Sequence, residues 1–167
     1  MTRMNTLAAL AAMALVVTSC GKDVIIDVDS LPAGNAAGVA ASGTFDFNEV
    51  ISSSDCPATA AGVTLPVETD TWTSTATLLQ DEGYLKMDLA GGSGRPGFAM
   101  DGGIFWHGNF RLGGTYYYSG SSVTFINLMD GRFTEGVDGF EGTTTIRVQA
   151  TDSTDCELTV EFTGTRR

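Results

Sequence analysis

From Gly43 onward, apolar and polar residues alternate with a period of two in short runs rich in Thr, Val, Tyr and Phe, separated by turns containing Gly or Asp. A period of two sends alternate side chains to opposite faces of an extended strand. The clearest runs lie near the C-terminus. There Phe140, Thr144, Ile146, Val148 and Ala150 oppose Thr143, Thr145, Arg147, Gln149 and Thr151, and Leu158, Val160 and Phe162 oppose Glu157, Thr159 and Glu161. Over Thr71 to Leu79 the residues Trp72, Ser74, Ala76 and Leu78 share a face, and past the hairpin signal Asp81-Glu82-Gly83 so do Leu85, Met87 and Leu89. The pattern predicts strands near 43–51, 70–79, 84–90, 97–107, 109–118, 122–129, 139–151 and 156–166. Met100-Asp101-Gly102-Gly103 carries its own turn signal, which would split the fourth run into a small hairpin. Eight strands in meander order predict an all-β fold, a single antiparallel up-and-down barrel of about eight strands, with a β-sandwich as the alternative.

The faces assigned to the interior mix bulky Trp72, Leu85, Met87, Ile146, Val148, Leu158 and Phe162 with small Ala76, Gly142, Ala150 and Gly164. Mixed sizes let side chains interdigitate, and a barrel of this size is just wide enough to be filled by them or to hold one small ligand. The expectation is a filled interior, with any ligand at an open end near Trp106 and the Tyr116 to Tyr118 cluster. On that expectation Trp72 is buried, and Trp106 is the tryptophan beside the ligand.

The region before the strands reads differently. Arg3 precedes an uncharged apolar run from Leu7 to Val17, eleven residues, too short to span a bilayer. It ends in Val17-Thr18-Ser19-Cys20, which resembles the lipobox of bacterial lipoproteins: an aliphatic residue, two small residues and the cysteine that becomes the mature N-terminus. The resemblance implies a signal peptide over 1–19, a diacylglyceryl group on the Cys20 thiol, and cleavage before it. Two or more acyl chains give stable anchoring without a transmembrane segment. Gly21 is not the Asp of the inner-membrane retention signal, so the expected place is the cell envelope, in the outer membrane if the organism is Gram-negative. Residues 20–42, with Gly, Ala, Ser and Asn around Val24-Ile25-Ile26, read as a lipidated flexible tether, and 43–167 as the barrel-like domain.

With Cys20 assigned to lipid, Cys56 and Cys156 remain. In an exported chain they predict a disulfide, joining the end of the first strand to the start of the last. Antiparallel neighbours have that arrangement, so the pair favours a sheet closed by its first and last strands. No Cys-x-x-Cys spacing suggests redox chemistry.

Charge narrows the partners. The chain has 9 Lys+Arg against 20 Asp+Glu, a formal charge of −11, which argues against nucleic acid because phosphate binding needs a basic footprint. Asp23, Asp27 and Asp29 lack the glycine and closing glutamate of a calcium loop. His107 is the only histidine, so no metal site is expected; nor is a Gly-x-Ser-x-Gly elbow present for a triad. Gly91-Gly92-Ser93-Gly94-Arg95-Pro96-Gly97 lacks the Gly-Lys-Ser/Thr ending of a phosphate loop and reads as a loop at a barrel end, where Arg95 is placed to meet an anionic ligand. Phe98, Phe105, Trp106, Phe110, Tyr116, Tyr117 and Tyr118 crowd the middle of the chain. Trp106, Tyr116, Tyr118 and Arg95 are therefore the candidate ligand-binding residues. Gly43-Thr44-Phe45 with Arg166 resembles, at a handful of positions, the lipocalin pairing of a first-strand Trp with a late Arg, with Phe in place of Trp.

These readings converge on an exported, membrane-anchored, non-catalytic binding or envelope-interaction module without cofactor. Its partners are the membrane, through lipid on Cys20, and a small-molecule, glycan or protein ligand. The alternatives are a metal-independent envelope hydrolase using carboxylates and a purely structural surface protein. A cleft with two facing carboxylates would mark the first of these.

Overall fold

The alternating runs form strands, and the strands close on themselves. The computed structural model describes residues 28, 31–35, 39–92, 95–118, 120 and 122–167. The signal peptide and Cys20 lie outside the described residues. The strands are β1 (Gly43–Ser54), β2 (Thr59–Ala60), β3 (Val63–Thr64), β4 (Thr71–Asp81), β5 (Tyr84–Leu89), β6 (Phe98–Ile104), β7 (Asn109–Tyr118), β8 (Val123–Phe133), β9 (Gly139–Ala150) and β10 (Asp155–Arg166). Eight of them make a closed antiparallel barrel in the order β1-β10-β9-β8-β7-β6-β5-β4, with β4 returning to β1. β2 and β3 form a separate hairpin. The up-and-down barrel is therefore present, and the sandwich is not.

One predicted interruption and one predicted strand end are continuous strand. Met100 to Gly103 runs through β6, paired with β5 and, from Asp101, with β7. β8 likewise continues past residue 129, with Asp130-Gly131-Arg132 paired on both sides. Local turn chemistry is overridden by close packing. A Cβ on Gly131 would lie 2.3 Å from the Phe110 ring, and one on Gly164 would lie 2.2 Å from the Phe140 ring. These glycines make room for aromatic side chains inside the barrel.

The bond predicted from the cysteine count is made. Cys56 and Cys156 are joined with Cα atoms 5.1 Å apart, and β1 pairs with β10 from Phe45↔Arg166 to Ser54↔Leu158. A bulge at Ser52 bends the end of β1 towards that crosslink. Such a disulfide belongs to an oxidising compartment.

The two barrel ends differ. At one, which we call the Phe end, six rings (Phe45, Phe47, Phe110, Phe133, Phe140 and Phe162) form a network with centroids 5.0–6.4 Å apart. Arg166 lies over Phe45, 4.8 Å from its centroid. Its guanidinium donates to the carbonyls of Val137, Ser42 and Ala40. At the other, the hairpin end, Ala60, Val63 and Leu65 of the β2–β3 unit cover a second apolar cluster that includes Ile51, Tyr116, Phe125, Ile146, Val148 and Leu158. Between the clusters lies a belt of polar side chains: Glu49 on β1, Ser74 on β4, Asn127 on β8 and Thr144 on β9.

Outside the barrel, Val28 and the stretch 32–35 lie against β6 and β7, whereas Ala41 is buried in the core of the Phe end. Gly34 N donates to Gly83 O at 2.7 Å, and Asn35 Oδ1 accepts from Trp106 N. A Cβ on Gly103 would fall 2.7 Å from Pro32 O, and one on Gly113 would fall 2.2 Å from Val28 O. Outward-facing glycines thus form the bed on which this segment rests.

Candidate functional site

The alternation of β1 decides where the most consequential acidic residue goes. Phe45, Phe47 and Ile51 point inward, so Glu49, in the same register, does too. Its neighbours across the sheet are Trp72 on β4 and Phe162 on β10. A carboxylate there must be paired, because an uncompensated buried charge is costly.

The partner arrives from the connection between β5 and β6. Gly92 and Arg95 exchange both backbone hydrogen bonds, which tightens that loop and turns the Arg95 side chain into the barrel. Its two terminal nitrogens donate to the two oxygens of Glu49, Nη1 to Oε1 at 3.0 Å and Nη2 to Oε2. The guanidinium carbon is 4.7 Å from the centroid of Trp72 and 5.2 Å from that of Phe98. Glu49 is 2% exposed and Arg95 8%. Burial pushes the Glu49 carboxyl above its usual range, while the charge and hydrogen bonds of Arg95 pull it back, the burial being the larger effect.

Above this pair lies a pocket of about 190 Å³, lined by Val63, Thr64, Leu65, Pro66, Asp70, Trp72, Arg95, Tyr116, Tyr118 and Phe125. Tyr116 is stacked on Phe125 and tilted against Phe98, with centroids 4.7 and 4.6 Å away, and Tyr118 meets Phe125 edge-on at 6.5 Å. Burial pushes the Tyr116 phenol up, so it stays protonated and can donate. Asp70 anchors the descending loop, its Oδ2 accepting from Val67 N at 2.9 Å. The hairpin that roofs the pocket turns at Ala61 and Gly62, both at positive φ as tight hairpins require, and Asp152 accepts from the Ala61 N–H.

Of the four candidate ligand-binding residues, the structure brings Arg95, Tyr116 and Tyr118 together here. Trp106 is at the Phe end, in the turn between β6 and β7, 60% exposed. The ten residues of β7 separate it from Tyr118, about 30 Å at strand rise. The tryptophan lining this pocket is Trp72, and Trp106 is not among its residues. Arg95 meets an anion, and that anion is the chain's own Glu49.

Sequence reasoning passed over Glu49 and the hairpin. The inward register of Phe45, Phe47 and Ile51 was the signal for Glu49. The hairpin has two residues per strand and an Ala-Gly turn, which leaves no readable period.

Other chemistry is not assembled among the described residues. His107 is exposed in the turn at the Phe end. The one grouping of metal-ligating types, Asp55, Cys56 and Cys156, has its sulfurs bonded to each other.

No family model matches the chain, and no curated protein does. Among solved structures, the chain is similar to the monomer form of the M. tuberculosis PknI sensor domain at 12% identity. That likeness covers 79% of this chain and 90% of the other, with a TM-score of 0.43.

Proposed function

We propose that this chain is an exported lipoprotein held to the cell envelope by lipid on Cys20, whose barrel is a non-catalytic binding module working at its hairpin end. The observation that carries the binding reading is the pocket itself: an aromatic hollow over a buried, charge-balanced Arg95–Glu49 pair, at the end of a barrel otherwise filled by side chains. A purely structural protein has no need of a buried ion pair beneath an open pocket, since apolar residues of similar volume fill such a place at least as stably. A carboxylate hydrolase needs one acid free to give or take a proton. Glu49 has both oxygens on Arg95, which disfavours that role.

The anchor rests on the order of charge, apolar run and small-small-Cys in residues 1–20, and on a disulfide that fits an exported chain.

Cys20→Ser should abolish fatty-acid labelling and move the protein from the membrane fraction to the soluble one. Label retained by the Ser variant would sink the anchor. Binding is checked with Trp106→Phe, which leaves Trp72 as the single tryptophan of the two. A saturable change in its emission on titration with small aromatic ligands, lost in Tyr116→Ala that still folds, supports the module.

A further inference from the structure

We infer that the pocket at the hairpin end takes a small organic cation, an ammonium or guanidinium on an aromatic or apolar body. This rests on the binding-module reading and adds the charge class of the ligand.

Two ionised side chains line the pocket, Arg95 and Asp70. Arg95 is spoken for. Both its terminal nitrogens are on Glu49, so the pair presents no net charge to a ligand. An incoming anion would have to share that guanidinium with Glu49, or displace it and strand a buried carboxylate. Asp70 then supplies the pocket's unbalanced charge, and it is negative.

The surroundings point the same way. The loops at this end, 55–58, 65–70, 90–97, 119–122 and 151–154, contain Asp55, Glu68, Asp70 and Asp152 and a single basic residue, Arg95. In a chain with formal charge −11 this end therefore attracts cations from solution and repels anions. The site has also shown what it accepts. The Arg95 guanidinium over Trp72 and Phe98, at 4.7 and 5.2 Å, is a cation on aromatic rings supplied by the chain itself. The rest of the lining, Val63, Leu65, Pro66 and Phe125, suits an apolar body. At about 190 Å³ the pocket is below the roughly 300–1,000 Å³ of sites for drug-sized ligands, so the body is small.

The test uses three probes of one size and different charge: benzylammonium, benzyl alcohol and benzoate. Each is titrated into Trp106→Phe protein at neutral pH while Trp72 emission is followed. Benzylammonium should bind at least about fivefold more tightly than benzyl alcohol, and benzoate more weakly than either. Raising salt from low ionic strength to about 0.15 M should shrink the advantage. Asp70→Asn, which keeps an oxygen for Val67 N, should erase it while benzyl alcohol still binds. Benzyl alcohol or benzoate binding as tightly as the cation would overturn the charge class and leave the module standing. Dissociation constants weaker than about 1 mM for all three, in protein shown to be folded, would overturn both.

Discussion

Each end of the barrel holds an arginine on an aromatic ring, yet the two are balanced by different means. At the Phe end Arg166 remains half-buried, lies on Phe45, and donates to three backbone carbonyls. Carbonyl dipoles suffice because water still reaches the charge. At the hairpin end Arg95 is almost wholly enclosed, and only a full counter-charge, Glu49, compensates it. The difference extends outward. At the Phe end rings pack beneath the arginine, whereas at the hairpin end the Arg95–Glu49 pair adjoins the polar belt and has a pocket above it. One arginine closes an end; the other sets the charge of a site.

The sharpest way to break this comparison is to remove the counter-charge. Glu49→Ala should cost about 3–5 kcal/mol in chemical denaturation, because it leaves Arg95 buried without a partner. Glu49→Leu combined with Arg95→Met should recover most of that loss. A single variant within about 1 kcal/mol of the parent would show that Arg95 does not need its partner. At the other end, Arg166→Ala should cost about 1–3 kcal/mol, since the released carbonyls can turn to water. A loss as large as that of Glu49→Ala would remove the distinction between the ends.

The smallest effect is a pH dependence. Hydrogen bonds from the Ala61 N–H first, and then from Thr154, hold the Asp152 carboxyl below its ordinary value of 3.8. A depressed carboxylate adds stability that is fully present above the unfolded value and is lost as pH falls through the lower folded one. The melting-temperature gap between the parent and Asp152→Asn should therefore be constant near neutrality and close below about pH 4. Because Asp152 ties the β9–β10 turn to the roofing hairpin, Trp72 emission should shift over the same interval. A gap unchanged at the lowest pH at which the protein stays folded would rule the tie out.

Much of the fold was legible because alternation is a local property. β7 runs over Asn109–Tyr118 as its pattern predicted, and β5, β9 and β10 begin and end within a residue of expectation. The cysteine count anticipated the closure between β1 and β10 for a similar reason, since few partners were available. Gly102-Gly103 misled because glycine has two uses. It permits turns, and it permits close approach; here Gly131 makes way for Phe110, and Gly103 for the segment at Pro32. Only the neighbours distinguish the two, and the neighbours are remote in sequence.

The sequence by itself determined which face of each strand is apolar, that Cys56 and Cys156 would pair, and that acidic groups would outnumber basic ones. The separation of Trp106 from Tyr118 was also present in it, as the ten-residue run of β7 between them, although the two were expected at one end. Tertiary structure alone decided the height of each side chain along the barrel. Period two assigns a face, but height depends on strand register and on how the closed sheet is sheared. That is why Glu49 and Arg95, 46 residues apart, come together beneath Trp72. Neither lies in a motif, and each is unfavourable inside the barrel without the other. Closure of the barrel is what makes them a pair.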